Sequence, residues 1–222
     1  IFIGGAHKQD AKIFLSNKNG LIEKDIELFE LDSKNEDMES IFIDIDNDND
    51  LDLYVVSGGN EFNNRSIELA DRIYLNDGKG NFKRDLQEDL QNYTISGKTV
   101  TEIDYDNDGD RDIIIGNRIQ TKKYPIHEPS IIYENISGKF YNNTYNIAPE
   151  FENFGIVNKV IKTDFNNDGW DDFIAVGEWT NIGLFLNENG KFRDISNESN
   201  LENTYGLWFN VVETDINNCL LY

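Results

Sequence analysis

The chain reads as an all-β protein, a β-propeller built from four-stranded blades with ion-binding loops between the first and second strands of each blade. Three observations carry that reading. An acidic nine-residue loop recurs three times at a fixed interval. A second landmark, an apolar strand that runs into a glycine turn, keeps step with it. No long stretch shows the 3.6-residue apolar period of a helix.

The loops are Asp44-Ile-Asp-Asn-Asp-Asn-Asp-Leu-Asp52, Asp104-Tyr-Asp-Asn-Asp-Gly-Asp-Arg-Asp112 and Asp164-Phe-Asn-Asn-Asp-Gly-Trp-Asp-Asp172, and their starts lie 60 residues apart. Residues of β character precede each: Ser40-Ile-Phe-Ile43, Val100-Thr-Glu-Ile103 and Val160-Ile-Lys-Thr163. A short apolar run follows each: Leu53-Tyr-Val-Val56, Ile113-Ile-Ile115 and Phe173-Ile-Ala-Val176. After a variable connection comes the second landmark, Ile73-Tyr-Leu-Asn76, Ile132-Tyr-Glu-Asn135 or Leu184-Phe-Leu-Asn187. A glycine-bearing turn and a last strand from Phe82, Phe140 or Phe192 complete the unit. Four short strands in a repeat of this length match a propeller blade.

The expected blades span residues 1–37 (partial), 38–97, 98–156, 157–205 and 206–222 (partial). The chain is expected to open on the second strand of a blade, Ile1-Phe-Ile3, and to stop after the first strand of another, Val211-Val-Glu-Thr214. The two partial blades would close a small ring or belong to the arc of a larger one. The arc is preferred, because the fourth acidic loop, from Asp215, carries Cys219 where another Asp would stand.

Carboxylates this close repel one another unless a cation sits among them. Positions one, three, five and nine supply side-chain oxygens: Asp44, Asp46, Asp48 and Asp52; Asp104, Asp106, Asp108 and Asp112; Asp164, Asn166, Asp168 and Asp172. Position seven is Asp50, Asp110 or Trp170, which share no side-chain chemistry and so point to a backbone carbonyl ligand. Position six is Asn49, Gly109 or Gly169, residues that tolerate a left-handed backbone. An all-oxygen set suits a hard cation, Ca²⁺ at about three sites before Mg²⁺, whose octahedron is stricter. An EF-hand is excluded, since its twelfth position needs Glu and here holds Val55, Ile115 or Ala175.

Composition narrows the partners. The formal net charge of −22 opposes binding to nucleic acid or anionic lipid, and no apolar stretch is long enough for a membrane-inserted helix. One cysteine and two histidines offer no zinc site and no catalytic constellation, so no enzymatic activity is expected of these residues.

An Asp-x-Asp-x-Asp-Gly-x-x-Asp loop between two strands, repeated at this interval, resembles the FG-GAP/VCBS repeats found in integrin α-subunits and bacterial surface proteins. Leu53-Tyr-Val-Val-Ser-Gly-Gly-Asn60, Arg72-Ile-Tyr-Leu-Asn-Asp-Gly-Lys-Gly-Asn-Phe82 and Val176-Gly-Glu-Trp179 are most similar to bacterial VCBS proteins related to cartilage acidic protein. The resemblance implies a calcium-binding propeller in a secreted or cell-surface setting. It implies a non-enzymatic binding or adhesion module for glycan or protein, or alternatively the platform of a secreted polysaccharide-degrading enzyme. Two further features bear on ligands. Connections 60–71 and 118–130 carry a basic set, Arg65, Arg118, Lys122, Lys123 and His127, together with Tyr124. Glu178-Trp179 follows a blade strand, where an exposed indole would stack on a sugar and a buried one would pack between blades.

Overall fold

The computed structural model describes residues 1–214, which form four antiparallel sheets in chain order. The first holds β1 (Phe2–Ile3), β2 (Lys12–Asn17) and β3 (Gly20–Lys24). The second holds β4 (Asp37–Ile43), β5 (Asp52–Ser57), β6 (Arg72–Asn76) and β7 (Phe82–Asp85). The third repeats that meander with β8 (Gly97–Ile103), β9 (Asp112–Asn117), β10 (Ile131–Ile136) and β11 (Lys139–Asn142). The fourth does so again with β12 (Ile156–Thr163), β13 (Asp172–Thr180), β14 (Gly183–Asn187) and β15 (Phe192–Asp194), and adds β16 (Gly206–Leu207) beside β13. Each acidic loop therefore joins the first two strands of a four-stranded meander.

The sheets stack face to face as propeller blades do. In β5, Tyr54 and Val56 pack with Val100, Ile113, Ile115 and Tyr133 of the third sheet, while Leu53 and Val55 pack with Ile13 and Phe29 on the other side. In β9, Ile113 and Ile115 face the second sheet, and Ile114 joins Val157, Val160, Phe173 and Phe185 of the fourth. Both faces are dry. That is why these strands read as unbroken apolar runs without alternation, and β5 and β9 are buried at every residue. The inner strands also meet one another: Thr101 Oγ1 donates to the Val160 carbonyl at 2.7 Å, and Lys159 Nζ reaches Glu39 Oε1 at 2.6 Å.

The inner pair of each full sheet slips register at the same place, between Asp37 and Glu39, Gly97 and Thr99, and Val157 and Lys159. A bulge repeated at one end of three strands is a structural signature of the repeat, and it adds local twist. Short helices fill the approaches to the next unit: α1 (Glu27–Leu31), α2 (Glu88–Asn92), α3 (Thr144–Ile147) and α4 (Pro149–Glu152). Each drops an apolar side chain into the core, among them Phe29, Leu90 and Phe151. Four- and five-residue helices are too short to leave a periodic signal in sequence.

One expected strand is absent. Residues 211–214 form no strand, although Glu213 accepts a hydrogen bond from Thr163 Oγ1 at 2.6 Å. The fourth acidic loop, expected from Asp215, comes next in the sequence. That loop, with Cys219, lies outside the described residues. Among the described residues no helix is long and apolar enough to cross a membrane.

Candidate metal centres in the blade loops

The three loops share one backbone. Position six is left-handed in all, with φ of 70° at Asn49, 95° at Gly109 and 85° at Gly169. Position four is left-handed as well, at Asn47, Asn107 and Asn167. Asparagine is the side chain that best tolerates this region after glycine. The recurrence of Asn at position four was the available sequence signal for it.

Position nine anchors each loop to its sheet. Asp52 accepts the backbone N–H of Ile45 at 3.1 Å and of Asn76 at 2.8 Å. Asp112 accepts Tyr105 N–H at 3.2 Å and Asn135 N–H at 2.8 Å, and Asp172 accepts Phe165 N–H at 3.2 Å and Asn187 N–H at 2.7 Å. All three are buried. Burial pushes their carboxyls up, to about 6 for Asp52 and Asp172 and about 8 for Asp112, and the amide hydrogen bonds only partly offset it.

Loops one and two gather carboxylates. Oxygens of Asp44, Asp46 and Asp52 lie within 4.8 Å of one another, as do those of Asp104, Asp106 and Asp108. At that spacing each charged pair repels by roughly 3 kcal/mol at an effective dielectric of about 20. Burial and then the neighbouring Asp48 raise Asp50, and burial and then Asp108 raise Asp106. Asp44 Oδ1, Asp50 Oδ1 and Asp104 Oδ1 are buried with no hydrogen-bond partner. Unpaired buried carboxylate oxygens beside other carboxylates are costly, and a divalent cation satisfies them. The donor set thus fits Ca²⁺. Asp44, Asp46 and Asp52 would hold it in loop one, and Asp104, Asp106 and Asp108 in loop two.

Asp48 and Asp110 lie outside these trios. Asp48 Oδ1 accepts Asp50 N–H at 2.9 Å. Asp110 accepts Asn47 Nδ2 of the preceding loop at 2.6 Å and Ser137 N–H at 3.1 Å, so position seven of loop two links two sheets through its side chain. Loop three is arranged differently. Both Asp164 oxygens accept backbone amides, from Asp168 at 3.1 Å and Gly169 at 3.0 Å. Asn166 Nδ2 donates to Asp168 Oδ2 at 2.8 Å, and Asp168 Oδ1 accepts Trp170 N–H at 2.8 Å. Substituting Asn166 for an acid lets the loop close on its own hydrogen bonds.

The second landmark contributes residues that the spacing argument assigned only to a turn. Asn135 Nδ2 donates to the Ile45 carbonyl of the preceding loop at 2.9 Å and to Arg111 O at 3.2 Å, while its Oδ1 accepts Gly138 N–H at 2.8 Å. Asn187 repeats this with Tyr105 O at 2.8 Å, Asp171 O at 3.1 Å and Gly190 N–H at 2.8 Å. Each Asn ties the loop of its own sheet to the loop of the sheet before. The signal was the invariance of Asn within the landmark.

The strand–loop–strand hairpins of the first two loops, with acids at positions one, three, five and nine, have a counterpart among known repeats. Residues 44–115 match the FG-GAP-like repeat. The FG-GAP repeat thus covers the first two loops, where the carboxylates converge. Curated proteins give no match. Among solved structures the chain is similar to one described as the structural basis of specific recognition of non-reducing terminal N-acetylglucosamine by an Agrocybe aegerita lectin. The TM-score is 0.53 at 18% identity, over 86% of this chain and 48% of that one, so the likeness is one of fold and spans about half the lectin.

Proposed function

We propose that the chain is a propeller binding module for a glycan or protein ligand, stiffened by Ca²⁺ in its FG-GAP loops and working in a secreted or cell-surface setting. The observation that carries it is the set of buried, unpartnered oxygens Asp44 Oδ1 and Asp104 Oδ1 inside converging carboxylates. A cation there joins the first two strands of a blade and cancels the repulsion that folding creates. The ion's part in this reading is structural, pinning the hairpin in which the loop sits. Millimolar calcium outside cells fills even weak sites of this kind. The carbohydrate option draws on the shared fold with a lectin that recognises terminal N-acetylglucosamine. The setting and a kinship with bacterial VCBS proteins related to cartilage acidic protein draw on residues 53–60, 72–82 and 176–179.

Thermal melting tests the structural ion. Saturation a hundredfold above Kd adds about 2.7 kcal/mol per site. Two filled sites then raise Tm by roughly 10–20 °C for a chain of this size. Calcium is expected to produce that shift, chelator to remove it and magnesium to give less. Identical melting in chelator and in millimolar calcium would overturn the proposal.

A further inference from the structure

Away from the acidic loops, the connection 118–130 of the third sheet meets the end of β13 in the fourth. There a line of polar contacts crosses from one sheet to the next. Arg118 Nη2 donates to Glu178 Oε1 at 2.9 Å. Tyr124 donates through its hydroxyl to Glu178 Oε2 at 3.2 Å, and Trp179 Nε1 donates to the Tyr124 hydroxyl at 2.7 Å. Trp179 is nevertheless 54% exposed and Tyr124 53%. This excludes a packed inter-blade role for Trp179 and shows that the side chain turns back over the preceding sheet.

The backbone is arranged to present that ring. Pairing between β13 and β16 slips between Glu178 and Thr180, leaving Trp179 as the bulged residue. Its φ is 61°, in a region a bulky side chain seldom enters. Bulges re-aim side chains, and backbone outliers concentrate at ligand clamps. The polar line also keeps unused capacity. The Arg118 side chain is 32% exposed and the Glu178 side chain 10%, so the guanidinium is the more open of the two. The Glu178 carboxylate has two of its four lone-pair directions taken.

From this ledge we propose a carbohydrate site, in which a pyranose ring lies with its C–H face on the Trp179 indole and its rim hydroxyls on Glu178 and Arg118. The chemistry matches a sugar on both counts: an apolar face for a flat aromatic, and hydroxyls that donate to a carboxylate and accept from a guanidinium. A protein side chain anchoring here would need an enclosed pocket, whereas Trp179 offers an open plane bordered by polar groups. The tie from indole to Tyr124 fixes the ring in advance, which lowers the entropy lost on binding. This site rests on the binding-module reading and locates it.

The test is a glycan array probed with the described chain in millimolar calcium, comparing the wild type with Trp179→Ala, Tyr124→Phe and Tyr145→Ala. Tyr145 is 76% exposed on α3 and serves as the control aromatic. Retention of at least one glycan by the wild type and by Tyr145→Ala is expected. Trp179→Ala should weaken retention up to about tenfold at unchanged Tm, from loss of the stacking contact. Tyr124→Phe removes one hydroxyl, keeps the fold and should give a smaller loss. Retention by Trp179→Ala and Tyr124→Phe equal to that of the wild type would overturn the site and leave the module reading standing. No retention of any glycan by the wild type would overturn the site together with the glycan reading.

Discussion

Asn135 makes three side-chain hydrogen bonds that no other part of its strand can replace: to Ile45 O, to Arg111 O and from Gly138 N–H. Replacing it with alanine strands buried carbonyls at the junction of two sheets. Asn135→Ala is expected to cost about 2–3 kcal/mol, measured as a lower urea midpoint at constant m-value. Asn76 holds the same place one sheet earlier, but its amide donates only to Leu51 O within its own sheet. Asn76→Ala should therefore cost clearly less, and equal losses in the two variants would count against an inter-sheet role. Alternating acids announced themselves in sequence, whereas this latch looked like an ordinary turn residue. A hydrogen bond between residues 45 and 135 is set by how sheets stack, which local pattern does not encode.

The strand–loop–strand hairpin is the unit on which charge and folding are coupled. Asp52, Asp112 and Asp172 each sit buried at its second strand, with carboxyls raised above the ordinary value of about 3.9. A raised carboxyl means that the folded chain binds more protons than the unfolded chain. Its stability is then complete at low pH and is lost as pH rises, through about 6 for Asp52 and Asp172 and about 8 for Asp112. Without calcium, the urea midpoint is expected to fall between pH 5 and pH 8, and Asp112→Asn should flatten the upper part of that fall. In millimolar calcium the trend should shrink or reverse, because the ion binds the deprotonated form. A calcium-free protein that is more stable at pH 8 than at pH 5 would contradict this. The hairpins themselves were legible as strand, loop and strand. The short helices and the repeated bulge were not, since four residues carry no period and a one-residue slip leaves the apolar pattern intact.

Across the molecule, one repeat does two jobs. Apolar runs in the second strands fill the spaces between sheets from both faces, and acidic loops collect at the strand ends, concentrating much of a net charge of −22. Such self-repulsion opposes a compact fold, and a cation held in the proposed sites would relieve it. The regular interval made this architecture readable from sequence, because core and loop recur together. Sequence alone treated the three loops as equals. The structure separates them, since Asp164 is already satisfied by the amides of Asp168 and Gly169 while Asp44 and Asp104 each keep a free buried oxygen. Calorimetric titration of the calcium-free protein with Ca²⁺ therefore bears most directly on the account. Two sites should fill first and a third, in loop three, more weakly; Asp44→Ala and Asp104→Ala should each delete one of the first two and spare the other. A titration without binding heat, or variants that bind like the parent, would contradict the claim that these loops are cradles for calcium.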